Sequence, residues 1–208
     1  MQKKAFIYDL DNTIYAVASI GEQLFASLFA LIKQSGEQAD RFDKIRDDIM
    51  RKPFQVVAAT HHFSEDLTRQ GIRHLQHLAY EGDIKPFPDY PLIRNIPGER
   101  FLVTTGFQKL QESKIRGMGI APDFQEIFIV DPDTSTKTKK DVFAGIMEKY
   151  GYQPPQVLVI GDDPESEIKA ARDLGLDTVL YDKENRHPHA PVTFRITDFG
   201  ELADLVKS

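Results

Sequence analysis

Apolar positions in this chain follow two rhythms. Four runs are apolar almost without interruption: AFIY (5–8), FLVT (101–104), IFIV (127–130) and VLVI (157–160). TVLY (178–181) predicts a fifth. Strands that do not alternate are buried on both faces. The segments between them show helical spacing instead. Phe107, Leu110 and Met118 mark one helix, and Val142, Phe143, Ile146, Met147 and Tyr150 another. Ile168, Ala171 and Leu174 mark a third, with Gly175 as its stop. Strands separated by helices predict an α/β fold: a doubly wound, Rossmann-like parallel sheet that binds ligands at the carboxyl ends of its strands.

The stretch after the first strand breaks this rhythm. From about Ala18 to Lys85 no strand is predicted. Leu24, Phe25, Leu28, Phe29 and Ile32 trace one apolar stripe, Phe42, Ile45 and Ile49 a second, and Ile72, Leu75 and Ala79 a third. A simple crossover needs far fewer residues. The pattern predicts a helical insert over 17–85, closed by KPFPDYP (85–91), with 1–16 and 86–208 forming the core.

Composition narrows the chemistry. The chain has 208 residues, 41% hydrophobic and 28% charged, as in an ordinary globular protein. A formal net charge of −6 argues against nucleic acid or an anionic membrane as partner. It leaves room for a small anionic substrate held by a few local donors. No cysteine is present, so thiolate chemistry and thiolate-held metals are out. No apolar run approaches the ~18 residues of a membrane span, and MQKKAFIYDLD lacks the pattern of a secretory signal. A cytoplasmic location is expected.

The strand ends carry the candidate chemistry. The first run ends in Asp9 and Asp11, which project to the same side and repel. The second ends in Thr104, Thr105 and Gly106, the third is followed by DPDTSTKTKK, and the fourth ends in Gly161, Asp162 and Asp163. A parallel sheet gathers these ends on one edge. Carboxylates converging there without Cys or suitably spaced His suit a hard cation such as Mg²⁺, which would offset the repulsion between Asp9 and Asp11.

At these residues the chain resembles the haloacid dehalogenase superfamily of hydrolases. The matching pieces are DLDNT (9–13), FLVTT (101–105), Lys137 placed six residues before Phe143, and VIGDDPESE (159–167). The insert is similar to a C1-type helical cap, and DNT followed by Ile14 and Tyr15 is similar to the pyrimidine nucleotidase branch. The resemblance implies a phosphatase for a small phosphorylated metabolite, a nucleoside monophosphate among the candidates. It makes Asp9 the nucleophile and Asp11 the acid and base. Leu10, Asp11, Thr104, Thr105 and Lys137 would bind the phosphoryl group. Mg²⁺ would be held by Asp9, the Asp11 carbonyl and Asp162, with Asp163 and Glu167 in an outer shell. Having both aspartates separates a phosphatase from a dehalogenase, which lacks the second. At Glu167 the family often carries Asp.

Plainer readings stand beside these. Asp163 before Pro164 suits a helix N-cap, and Glu167 a first-turn acid. Thr104 suits a buried strand as a β-branched residue. Lys139 and Lys140 are expected on the surface; a shifted helix start at Thr138 would move the active lysine by two residues. His61, His62, His74 and His77 are expected to hold no ligand, while His61, His62 and Arg73 are polar insert positions that could meet a substrate. A phosphomutase uses the same two aspartates. A receiver-like phospho-acceptor would have its Thr after the third strand rather than before it, and a non-catalytic binding module would not require both acids.

Overall fold

In the computed structural model, which describes residues 2–207, the apolar runs are strands of one sheet. They are β1 (Ala5–Tyr8), β2 (Glu99–Thr105), β3 (Glu126–Val130), β4 (Val157–Gly161) and β5 (Asp177–Tyr181). A sixth, β6 (Phe194–Ile196), has no counterpart in the sequence reading. The order is β3-β2-β1-β4-β5-β6 and every neighbouring pair is parallel. Phe6, Tyr8, Leu102, Leu158 and Ile160 belong to the core on one face, and Ala5, Ile7, Phe101, Val103, Val157 and Val159 to the core on the other. Both parities are buried, which is why the runs do not alternate. β6 escaped notice because it is a three-residue edge strand with one buried side chain.

Five helices follow β1: α1 (Ala18–Leu24), α2 (Ala26–Ser35), α3 (Phe42–Ile49), α4 (Phe54–Thr60) and α5 (Glu65–His77). The first predicted stripe is divided between α1 and α2 at Phe25, whose backbone leaves helical geometry. Helix α4 was not predicted; Pro53 precedes its buried Phe54, Val57 and Ala58. Ser64 caps α5 by accepting the Leu67 N–H at 3.2 Å. Gly71 lets the Phe54 ring lie on α5, since a Cβ there would sit 2.2 Å from Phe54 Cζ. The remaining helices are α6 (Gln108–Met118), α7 (Lys139–Tyr150), α8 (Glu167–Arg172) and α9 (Phe199–Lys207). The core on the first face takes in Leu110 and Ile115 of α6 and Phe199 and Leu202 of α9, and continues into the insert through Leu28, Ile45 and Val57. Phe143 and Ile146 of α7 and Ala171 of α8 fill the second. The fold is an α/β Rossmann-like core with an inserted helical cap.

Register matters most for the site. Tyr8 pairs with Leu102 on one side and Ile160 on the other, so β1, β2 and β4 deliver their next residues to the same level of one edge.

Candidate active site

Beyond β1 the Asp9 N–H still donates to the Ile160 carbonyl at 2.9 Å, holding Asp9 in line with the sheet. Asn12 then adopts a left-handed φ of +58°, which Asn tolerates. Its side chain accepts the Val17 N–H at 3.1 Å and donates to the Met50 carbonyl at 3.2 Å, turning the chain into the insert. The two aspartates meet different cations. Asp9 Oδ1 lies 2.6 Å from Lys139 Nζ, and Asp11 lies 2.8 and 2.9 Å from Lys114 Nζ through its two oxygens. The chain itself therefore answers the repulsion between the two carboxylates, with one lysine each.

The lysine at Asp9 is not the one that spacing selected. Lys137 is exposed, and its N–H donates to Ser135 Oγ. Lys139, expected on the surface, is 8% exposed and bridges Asp9 and Glu167. The cause is local. Thr138 caps α7, accepting the Asp141 N–H at 3.3 Å while Asp141 accepts the Thr138 N–H at 2.7 Å. This reciprocal cap starts the helix at Lys139 and leaves Lys137 outside it. Lys140 is exposed, as expected.

Glu167, assigned to an outer shell, is buried, and its oxygens take Lys139 Nζ at 2.8 Å and the Asp163 N–H at 2.8 Å. Gly161 makes this possible: any Cβ there would sit 2.1 Å from Glu167 Oε1. Asp9, Asp162 and Glu167 each offer an oxygen within 4.8 Å of the others, a group of hard ligands able to hold a divalent cation. Thr13 Oγ1 lies 3.5 Å from Asp162. Asp163 is half-buried and accepts the Glu165 N–H; the cap position of α8 belongs to Ser166, not Asp163.

Thr104 is buried, and Thr105 lines the same cavity as the acids. Leu10 is fully buried between the two aspartates. Two residues that the sequence reading overlooked complete the site. Gln111 Nε2 donates to Thr104 Oγ1 at 2.6 Å and to Asp11 at 3.0 Å, and Lys114 pairs with Asp11. Tyr15 also donates to Asp11, at 2.6 Å. A signal existed: Phe107, Gln111, Lys114 and Met118 follow one helical stripe, so two polar residues occupy buried-face positions. The cavity is about 120 Å³ and reaches into the insert, where Phe25, Met50, Arg51, Lys52, Phe54 and Gln55 form its far wall. His61, His62 and Arg73 are not on that wall. His61 is buried and pairs with Asp48 at 2.8 Å.

Electrostatics divide the acids. Burial pushes the Asp9 carboxyl up to about 7 against the pull of Lys139, and Glu167 adds to the rise. Burial, then Glu167, Asp9 and Asp163, raise Asp162 well above the carboxylate range. Asp163 rises through burial and Glu167. Asp11 goes the other way: burial is overcome by Lys114, Tyr15 and Gln111, which hold it low. Burial would lower Lys139, but Asp9 and Glu167 hold it charged and above its ordinary value. With all three acids ionised, the Asp9–Asp162–Glu167 cluster would carry more negative charge than Lys139 balances, the condition under which a bound cation stabilises it.

Comparison with known proteins agrees with this geometry. Over 98% of the chain and 97% of its partner, the sequence is 25% identical to the glyceraldehyde 3-phosphate phosphatase of Methanopyrus kandleri. It is 23% identical to the pyrimidine 5'-nucleotidase PynA of Streptococcus pneumoniae over 51% of this chain and 46% of that one. The crystal structure of the HAD-hydrolase YfnB from Bacillus subtilis bound to magnesium superposes with a TM-score of 0.64 at 18% identity, covering all of both chains. The family profile of haloacid dehalogenase-like hydrolases matches residues 3–175. The chain belongs to the haloacid dehalogenase-like hydrolases.

Proposed function

We propose that the protein is a Mg²⁺-dependent phosphatase that hydrolyses a small phosphorylated metabolite through an aspartyl-phosphate. The observation that carries the reading is the pairing of two carboxylates at one strand end with separate lysines, beside Thr104 and an acidic group able to hold a cation. An Asp9 oxygen attacks phosphorus as the bond to the leaving oxygen breaks. Asp11 gives that oxygen a proton, then takes one from the water that hydrolyses the acyl phosphate. Lys139 balances charge on Asp9, and Thr104 donates its hydroxyl hydrogen to the phosphoryl group; Gln111 binds Thr104 as a donor, so the hydroxyl's own hydrogen stays available. Bound at Asp9, Asp162 and Glu167, Mg²⁺ would supply electrostatic stabilisation of the phosphoryl charge.

The insert over 17–85 acts as a lid that sets substrate preference. The cavity is smaller than the ~300 Å³ lower bound usual for drug-sized ligands, which favours a compact leaving group over a nucleoside with the lid closed. YfnB is described as undergoing interdomain movement, consistent with a lid of this kind. The test is phosphate release from a panel of phosphomonoesters, including a generic aryl phosphate, with Mg²⁺ and with EDTA. Release that EDTA abolishes is expected. No release from any substrate would sink the reading, and transfer of phosphate between substrate carbons without release would make the protein a mutase.

A further inference from the structure

Helix α6 carries two polar side chains into the site, Gln111 and Lys114, whose joint effect on Asp11 goes beyond the roles given above. Gln111 is 1% exposed and Lys114 3%, and, three residues apart, they share one helix face. A carboxylate offers about four lone-pair positions. In Asp11 all are occupied: Oδ1 by Lys114 (2.8 Å) and Tyr15 (2.6 Å), and Oδ2 by Lys114 (2.9 Å) and Gln111 (3.0 Å). The four bonds, from three side chains, are unequal. The Gln111 amide has two hydrogens but three acceptors in reach: Thr104 Oγ1 at 2.6 Å, Asp11 Oδ2 at 3.0 Å and the Thr105 carbonyl at 3.4 Å. Its shortest bond goes to Thr104, so its bond to Oδ2 is the contested one. A leaving oxygen can engage Oδ2 by displacing that one donor, while Lys114 and Tyr15 keep Oδ1 and the carboxylate plane in place. Gly106 fits this arrangement, since a Cβ there would press on Gln111 at 3.0 Å.

We propose that Lys114 is a positioning residue that, with Tyr15, fixes the plane of Asp11 and presents Oδ2 as the oxygen through which the proton passes. Gln111 ties that oxygen to Thr104, so the proton-transfer group and the phosphoryl-binding hydroxyl keep one spacing. The inference rests on the role given to Asp11 above. Asp11 is an ionised acceptor at rest, so the first step draws its proton from a monoanionic phosphomonoester: Oδ2 takes it from the bound ester and hands it to the leaving oxygen, which keeps the electron pair of its broken bond to phosphorus. In the second, Oδ2 takes a proton from the attacking water, and Asp9 departs from phosphorus as a carboxylate.

The test compares an aryl phosphate, whose leaving group needs little protonation, with an alkyl phosphate, whose leaving group needs it. Lys114→Met should lower kcat on the alkyl ester about 10²-fold, within the usual range for general acid–base help, and on the aryl ester far less. KM should change little on either. Lys114→Met combined with Asp11→Asn should be no slower than Asp11→Asn alone, since the two residues act as one unit. Lys114→Arg should recover part of the loss. Equal losses on both esters, or losses that multiply in the double variant, would overturn the proposal. Should Lys114→Met not fold by circular dichroism, Gln111→Met leaves no charge unpaired and should show a smaller loss, again confined to the alkyl ester; a uniform loss there overturns it too. A parent protein that releases no phosphate from the aryl ester refutes the phosphatase reading and this inference with it. A parent that turns over while Lys114→Met loses both esters equally refutes only the positioning role.

Discussion

At the scale of single residues, the Asp9 carboxyl links acidity, metal and stability. Its ordinary value of 3.8 rises to about 7 in the metal-free fold. The folded protein thus holds this proton more tightly than the unfolded chain does, and the group favours folding at low pH. That contribution is lost as pH rises from about 4 through about 7. A cation must displace the same proton. Mg²⁺ should therefore bind more weakly as pH falls below about 7, with protons released on binding from Asp9 and from Asp162, whose carboxyl is also raised. Calorimetric titration in two buffers of different ionisation enthalpy measures this directly; proton release that does not change with pH would contradict it. The positions of Asp9, Asp11 and Asp162 at one edge of the sheet were readable in advance, because acids at the ends of apolar strands stand out. Lys114 and Gln111 were harder to see. Their significance lies in contacts across 103 and 100 residues of chain, which spacing does not report.

At the scale of elements, two residues of helix start decide which lysine reaches Asp9. The distance to Phe143 selects Lys137, but the hydrogen bonds between Thr138 and Asp141 begin α7 one residue after Thr138 and turn Lys139 inward. Lys139→Ala should abolish most of the activity, while Lys137→Ala should stay within about twofold of the parent, as expected for an exposed charge away from the site. Thr138→Ala should cost about 1 kcal/mol of stability through the lost cap, and it should lower kcat as well by loosening Lys139. Urea denaturation and steady-state rates separate the two effects. The long elements were legible for physical reasons: the five strands are near-continuous apolar runs, and helices α6 to α8 each repeat one period. The elements missed, β6, α4 and α9, are short, terminal or shaped by contacts with distant segments, and the break at Phe25 follows from packing rather than from any local stop signal. Gly175, read as a helix stop, does take a left-handed φ of +69°.

At the scale of the molecule, the cap and the core share one apolar cluster, and their polar contacts include Asn12 to the Met50 carbonyl at 3.2 Å, Arg51 to Glu184 at 3.2 Å, Gln76 to Asp133 at 2.6 Å and Lys109 to the His77 carbonyl at 2.9 Å. Exposed polar contacts of this kind contribute about 0–1 kcal/mol each, so they add little to the hold on the insert. The sheet is different. β1 lies between β2 and β4, with both faces covered, and it is the strand that ends in Asp9. Asp9 and the insert should thus sit at opposite ends of the molecule's hierarchy of local unfolding. Amide hydrogens of Phe6 to Tyr8 should exchange with solvent only when the whole domain unfolds, whereas those of α3 and α4 should exchange through smaller openings. Comparable protection of the two regions would refute this. On warming, the protein should then lose its choice among substrates before it loses the power to cleave them. A generic aryl phosphate would still turn over at temperatures where the preferred metabolite no longer outcompetes its rivals.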